Sequence, residues 1–232
     1  MVFIDTHAAV IVLGGTLATA LIIFPIRQFF NLVKVYVKTV LGLDHKETLK
    51  VINEIVSLSK AIDQGQKIDN LAGQVKNHFL KESLSLLADS AFSEDELEEV
   101  LLKRVEIQNE KYRSESHRYK ILGKFPPAFG LVGTTLGMIG LLQGLGGPEG
   151  FKQIGPSMSI ALVATFYGLI LANIVIVPVG ENLAQASEED LLMRRIVVDG
   201  VRLLKEEKHP LVVSEYLKSY LTPHERNSMS KI

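Results

Sequence analysis

Thr134 and Pro127 fall in an uncharged run between Lys124 and Glu149; Thr165 and Pro178 fall in a second run between Lys152 and Glu181. A threonine hydroxyl in such surroundings can bond back to a carbonyl of its own turn or offer an oxygen to a passing cation. Proline lacks an N–H and kinks a helix, which leaves a carbonyl free. The chemistry that suits these four residues is the lining of a cation path, while plain helix packing accounts for them equally well. Neither run contains Asp, Glu, Lys, Arg or His, and neither does a third, Ala8 to Ile26. Centring an ionisable group in a membrane costs about 2.5–3.5 kcal/mol even on a lenient scale, so such groups mark function where they occur. If this chain conducts ions, a second polypeptide brings the carboxylate, and this one supplies walls, hydroxyls and kinks.

The elements that must hold these residues follow from run length. At about 1.5 Å per residue, each of the two longer runs crosses a hydrocarbon layer of about 30 Å as a helix, and Ala8 to Ile26 lies near the lower limit. The glycine-rich stretch between the longer runs makes them a hairpin. Gly130, Gly133, Gly137 and Gly140 are spaced so that they share one face, where small residues let helix backbones approach. Pro127, Leu131, Thr134 and Met138 form another face about a quarter turn away. Ala161, Thr165, Gly168 and Ala172 share a face of the third span. For the glycines, with Ala161 and Gly168, helix packing is the preferred role.

The 232 residues carry a net charge of −1 and no cysteine. Nucleic-acid binding needs a basic surface, so it is not expected. Disulfides, thiolate metal sites and cysteine nucleophiles are excluded. The six histidines show no H-x-x-x-H pair, and neither GxxxxGK nor GxSxG occurs. The expectation is therefore no enzyme, no metal and no cofactor. Basic residues cluster after the first span, before the second and after the third, which places 27–124 and 181–232 in the cytoplasm and the glycine-rich loop and the amino terminus outside. Ser93 and Glu96 make a capping box opening a helix with Leu97, Val100, Leu101, Val105 and Ile107 as its apolar stripe. That helix continues past Tyr112 and Tyr119 until Pro126-Pro127 interrupts it. Turns are expected at Asp63–Gln66 and Ala88–Ser90. The charge runs of this part form a solvated helix face or, taken together, a docking surface for a cytoplasmic partner.

The expected architecture is an all-α polytopic membrane protein with three transmembrane helices and a helical cytoplasmic domain. Its segments are 1–28 (first span), 29–121 (cytoplasmic helices), 122–180 (span hairpin lining the ion path) and 181–232 (cytoplasmic helical tail).

The segment Pro127-Ala-Phe-Gly-Leu-Val-Gly-Thr134-Thr-Leu-Gly, followed by Ile154-Gly-Pro, Ala161-Leu, Thr165-Phe-Tyr-Gly-Leu-Ile-Leu-Ala-Asn173 and Pro178, resembles the MotA/PomA flagellar stator subunit. That subunit belongs to the wider MotA–TolQ–ExbB group of ion-driven motors. The opening Phe3-Ile-Asp5 and Ile11-Val-Leu-Gly-Gly-Thr16-Leu-Ala resemble that family's second membrane helix. The resemblance implies a multi-pass protein of the bacterial inner membrane. It implies a pentamer around two copies of a MotB/PomB-like single-span partner whose membrane aspartate carries H+ or Na+. It also implies a push on the rotor protein FliG and contact with membrane lipid. By the same resemblance Pro127 and Pro178 match the family's functional prolines, and Thr134 and Thr165 its threonines near the ion path. By the resemblance, sodium-type members have hydroxyls at both positions and some proton-type members have alanine at the first, while a threonine at the position of Thr134 is too widespread to decide the ion.

The family has four spans, and Met1 falls in the loop that precedes its second. The rotor-facing pattern R-x-x-G-x-x-x-L-E is also not matched around Gly65, where Lys60, Lys67 or Asp69 are the substitutes. A TolQ/ExbB-like energiser of envelope or gliding work, and a non-conducting membrane scaffold, are the competing expectations.

Overall fold

The computed structural model describes residues 4–25, 37, 48–89, 92–145 and 150–229. The loop at 146–149, the basic residues Arg27, Lys34 and Lys38, and Ser90 of the second expected turn lie outside the described residues. Every regular element among the described residues is helical. In chain order they are α1 (Thr6–Ile23, with a π turn at Val10–Gly14), α2 (Thr48–Asp63), α3 (Ile68–Ala72), α4 (His78–Ala88) and α5 (Glu94–Leu122). There follow α6 (Phe125–Gly144), α7 (Gly150–Ile170), a π turn at Leu171–Ile176, α8 (Val177–Lys205), α9 (Pro210–Lys218) and α10 (Pro223–Met229). Among the described residues three helices are long and apolar enough to cross a membrane: α1, α6 counted together with α5, and the helix from Ile154 through α8.

The chain divides into two compact units, Met1–Leu43 with Tyr112–Ala184 and Asp44–Lys111 with Gln185–Ile232. In the first, Asp5 caps α1 by accepting from His7 N–H at 2.9 Å and Ala8 N–H at 3.0 Å. α6 begins with prolines in its first turn, where a missing N–H costs nothing because that donor has no intrahelical partner. The expected interruption is thus a restart: α5 ends at Leu122, and Gly123-Lys124 forms a turn before Phe125. α6 and α7 make the main packed pair. A Cβ at Gly133 would overlap the Ala164 methyl, and one at Gly137 would lie 2.7 Å from Ser157 O and 2.8 Å from Ala161 Cβ. At Gly130 it would lie 3.1 Å from Ala164 O and 3.1 Å from Thr165 Cα, whereas at Gly140 the nearest atom, Ser157 Oγ, is 3.7 Å away. Gly168 touches the main chain of Pro126 and Pro127. α1 joins this pair through Gly15, which lies flat against the Phe129 ring, and through Ala8 and Val12 packed on Val163 and Ala164.

Proline explains part of what periodicity does not anticipate. Pro178 is the second residue of α8, separated from the π turn Leu171–Ile176 by Val177 alone. A proline has no N–H for the i−4 carbonyl and its ring crowds that carbonyl, and a widened turn accommodates both. Steric relief at Pro178 therefore replaces a uniform α-helix by a local π turn.

The second unit has its own core. Ile52 and Ile55 of α2, Leu80 and Leu84 of α4, Leu101 of α5, Ile196, Val197 and Val201 of α8 and Leu217 of α9 are fully buried together. α5 opens with the anticipated reciprocal cap: Ser93 N–H donates to Glu96 Oε2 at 2.8 Å, and Glu96 N–H donates to Ser93 Oγ at 3.3 Å. The hydrogen bonds from Ser93 hold the Glu96 carboxyl below the usual range. Leu97, Leu101 and Val105 are buried as expected, but Ile107 is 58% exposed. Two residues beyond Val105 an α-helix has turned about 200°, which takes Ile107 off the core face. The carbonyl oxygen of the Asn77 side-chain amide caps α4 by accepting from Leu80 N–H at 2.9 Å, and Arg194 stacks over the Phe79 ring at 4.7 Å. Tyr220 donates to Asp199, and burial followed by that carboxylate pushes the phenol well above its ordinary value.

The packing of α6 on α7 sets an expectation. Gly168→Ala gains helix propensity, yet its methyl meets backbone that has no side chain to swing away, so overpacking of about 1–3 kcal/mol outweighs a gain of at most about 1 kcal/mol. Gly14 has no atom within 4 Å of an added Cβ, so Gly14→Ala is neutral or stabilising. Thermal unfolding of the full chain in detergent, followed by circular dichroism, should fall by several degrees for the first and hold for the second. Equal stability of the two variants would contradict the packing.

Candidate ion path

The Gly130–Ala164 and Gly137–Ala161 contacts bring the neighbouring threonines together. Thr134 Oγ1 and Thr165 Oγ1 are 2.5 Å apart, although 31 residues separate them in sequence. Thr134 Oγ1 also lies 3.1 Å from Gly130 O of its own turn and 3.1 Å from Ala161 O of the facing helix. Thr165 Oγ1 lies 3.3 Å from Ala161 O and 3.5 Å from Gly130 O. Back-bonding and cross-helix bonding therefore coexist.

The result is a group of four oxygens, two hydroxyl and two carbonyl, that share only two hydroxyl protons. Two hydroxyls cannot donate along five oxygen–oxygen contacts at once, so lone pairs are left facing one another. Such a group is electron-rich without carrying a formal charge. It can accept a hydrogen bond from a protonated acid or water, and it can turn oxygens toward a hard cation. Both threonines are half-buried, so the group is reachable from one side. Its edge is Pro127, half-buried, with the exposed Leu131 and Met138 on the same face of α6.

Pro178 does not join this group. It lies thirteen residues beyond Thr165, past the π turn, where Ile176, Val179 and Leu183 pack with Ala20, Phe24 and Tyr119. At that end Ser116 Oγ donates to Gly180 O at 2.9 Å, and Lys120 pairs with Glu181 at 3.2 Å. Among the described residues no group of three or more His, Cys, Asp and Glu side chains could hold a metal.

Sequence reading missed two features of this unit. Thr16 is 6% exposed and its hydroxyl has no hydrogen-bond partner among the described residues. It sits two residues after the first π turn, on the stripe Ala8, Val12, Thr16, Ala20 and Phe24 that α1 buries. The four-residue spacing of that stripe was the available signal. Ser116, Tyr119 and Gly123 were likewise hidden within a charged stretch, and their three- and four-residue spacing marks the buried side of the end of α5. Lys60 lies exposed in the last turn of α2 and Lys67 exposed at the N-cap of α3, on either side of Gly65 with φ +84°. The Asp69 side chain lies outside what is described.

Residues 71–222 match the model of the MotA/TolQ/ExbB proton channel family. The chain is 31% identical over 225 residues to the chemotaxis protein PomA of Vibrio alginolyticus, covering 97% of this chain and 87% of that one. It is 30% identical over 222 residues to motility protein A of Aquifex aeolicus, covering 92% and 84%. In fold it is similar to a solved structure of C. jejuni MotAB, with a TM-score of 0.84 at 20% identity over 95% of this chain and 86% of that one. The flagellar MotAB stator complex from Bacillus subtilis gives 0.82 at 22% identity over 98% and 89%. With a family match over residues 71–222 and a relative 31% identical across 97% of its length, this chain belongs to the MotA/TolQ/ExbB proton channel family.

Proposed function

We propose that this chain is the ion-channel subunit of a flagellar stator, converting H+ or Na+ flow into rotation. The observation that carries the reading is the four-oxygen group of Thr134, Thr165, Gly130 and Ala161 in helices without an ionisable side chain in their apolar runs. Such a group cannot hold a cation against hydration by itself, but it can complete the coordination of one delivered on a carboxylate. The carboxylate comes from a MotB/PomB-like single-span partner seated against the face that carries Pro127, Leu131, Thr134 and Met138. Several copies of this chain, five in the family's pattern, surround that partner in the bacterial inner membrane. The spans are 1–28 and the hairpin 122–180, and 29–121 and 181–232 lie in the cytoplasm. The turn between α2 and α3, with Lys60 and Lys67, is the surface offered to the rotor protein FliG.

Each translocated charge is worth about 2.3 kcal/mol per 100 mV, which is the driving force for a turn of the ring. Pro178 and its π turn supply the flexible joint below the oxygen group. A TolQ/ExbB-like motor with another load is the second reading, favoured by the absence of the Arg–Glu rotor pair around Gly65.

Deletion of the gene should abolish swimming, and complementation should require this chain together with its single-span partner. Wild-type motility in the null strain would overturn the flagellar reading. With pH fixed and Na+ varied, swimming speed should track Na+ if hydroxyls at both positions select it.

Thr165→Val should lower ion flux and torque roughly fivefold to tenfold, corresponding to about 1 kcal/mol or slightly more lost at the oxygen group, while Thr165→Ser should retain most activity. Proteoliposome ion uptake with the partner present checks both variants. Full flux in Thr165→Val would support a non-conducting scaffold instead.

A further inference from the structure

The helix face that carries Thr134 does not stop at the end of the apolar run. Counting back from Met138 through Thr134, Leu131 and Pro127, the same steps of four and three reach Lys124, Lys120, His117 and Arg113. At 100° per residue these eight positions stay within about 100° of one another. The turn between α5 and α6 preserves this register. Gly123 N–H donates to Tyr119 O at 2.9 Å, Lys124 N–H donates to Ile121 O at 3.1 Å, and Lys124 itself has helical φ −79° and ψ −23°. The neighbouring face of this segment is already used: Ser116 bonds to Gly180, Tyr119 is buried in the Phe24–Leu183 cluster, and Gly123 lies against Val177.

Arg113, His117, Lys120 and Lys124 are all exposed. Lys120 has Glu181 at 3.2 Å, and among the described residues Arg113, His117 and Lys124 have no ion-pair partner. Like charges spaced three and four residues apart on a helix repel, so the row is unfavourable until something anionic covers it. General anchoring of cations at a membrane border works from any side of a helix and needs no register with Thr134. Lys111 and Arg118, which lie on the opposite side, satisfy that role equally well.

We infer that Arg113, His117, Lys120 and Lys124 form a docking stripe for an acidic peptide segment, the cytoplasmic flank of the membrane partner that covers Thr134. The inference rests on the stator reading above, because that reading places a second polypeptide over the Pro127–Met138 face. A polypeptide leaving that face along the same helix runs directly onto the basic stripe. Ion pairing there fixes the height and rotation of the partner's carboxylate relative to the oxygen group.

Two measurements test it. A photo-crosslinking residue at Leu131 or at His117, in cells making both proteins, should capture the single-span partner, at His117 through its cytoplasmic flank. Capture from Leu131 together with only phospholipid, a second copy of this chain or nothing from His117 overturns the inference and leaves the stator reading standing. Partner capture from neither position removes both. In the second measurement, fluorescence anisotropy reads a labelled hexaglutamate peptide binding to the purified full chain. Arg113→Gln/Lys124→Gln should weaken it about tenfold, and Lys111→Gln/Arg118→Gln, which removes equal charge from the other side, should change it less than about twofold. Equal loss in the two doubles means diffuse attraction to net charge and overturns the docking stripe.

Discussion

The close approach of two helix backbones at Gly130, Gly133 and Gly137 on one side and Ala161 and Ala164 on the other is the constraint on which the candidate site depends. With any larger side chain at Gly133 the two axes would separate, and the 2.5 Å contact between Thr134 and Thr165 would open. In an apolar medium there is no hydrophobic drive to push helices together, so close packing and polar contacts across the interface hold them. Here one set of small residues serves both ends: it permits the contact, and the threonine oxygens then gain partners on the facing helix. Gly168 against the Pro126-Pro127 main chain extends the same contact toward the other end of the pair.

An oxygen group without a charge differs in its physics from a charged site. A buried carboxylate here would bind a cation strongly and release it slowly, and without its ion it would bear a large desolvation penalty. Neutral oxygens bind a cation more weakly and let it go more readily. The π turn before Pro178 complements this arrangement. It changes the regular hydrogen-bond ladder between the threonine level and the Lys120–Glu181 pair.

The second unit is built differently. Its core is aliphatic and fully buried, with Gly200 admitting Ile55, and its helices are begun by side-chain caps at Asn77 and Ser93. Those are the marks of a water-soluble fold stabilised by burial of apolar area. The first unit instead leaves large apolar side chains such as Leu131, Leu162 and Ile174 exposed at 65%, 65% and 69%, which suits lipid or neighbouring subunits and not water.

Much of this was legible in the sequence, because the relevant signals are local. Segregated hydropathy located the three long apolar helices, and the Ser93–Glu96 spacing located the start of α5. The order of Pro127, Thr134, Thr165 and Pro178 carried the family resemblance, and glycine spacing named the packing face. What the tertiary structure decided is which of these faces meet. Sequence spacing put Thr134 on a face with Pro127 and Leu131 but was silent on whether its hydroxyl would turn inward or across to Thr165. That choice depends on backbone separation, which both helices set together. The burial of Thr16, the exposure of Ile107 and the widened turn before Pro178 belong to the same class. Periodicity reports a residue's angle about its own helix axis, and only the packed neighbour determines whether that angle points into contact or into open space.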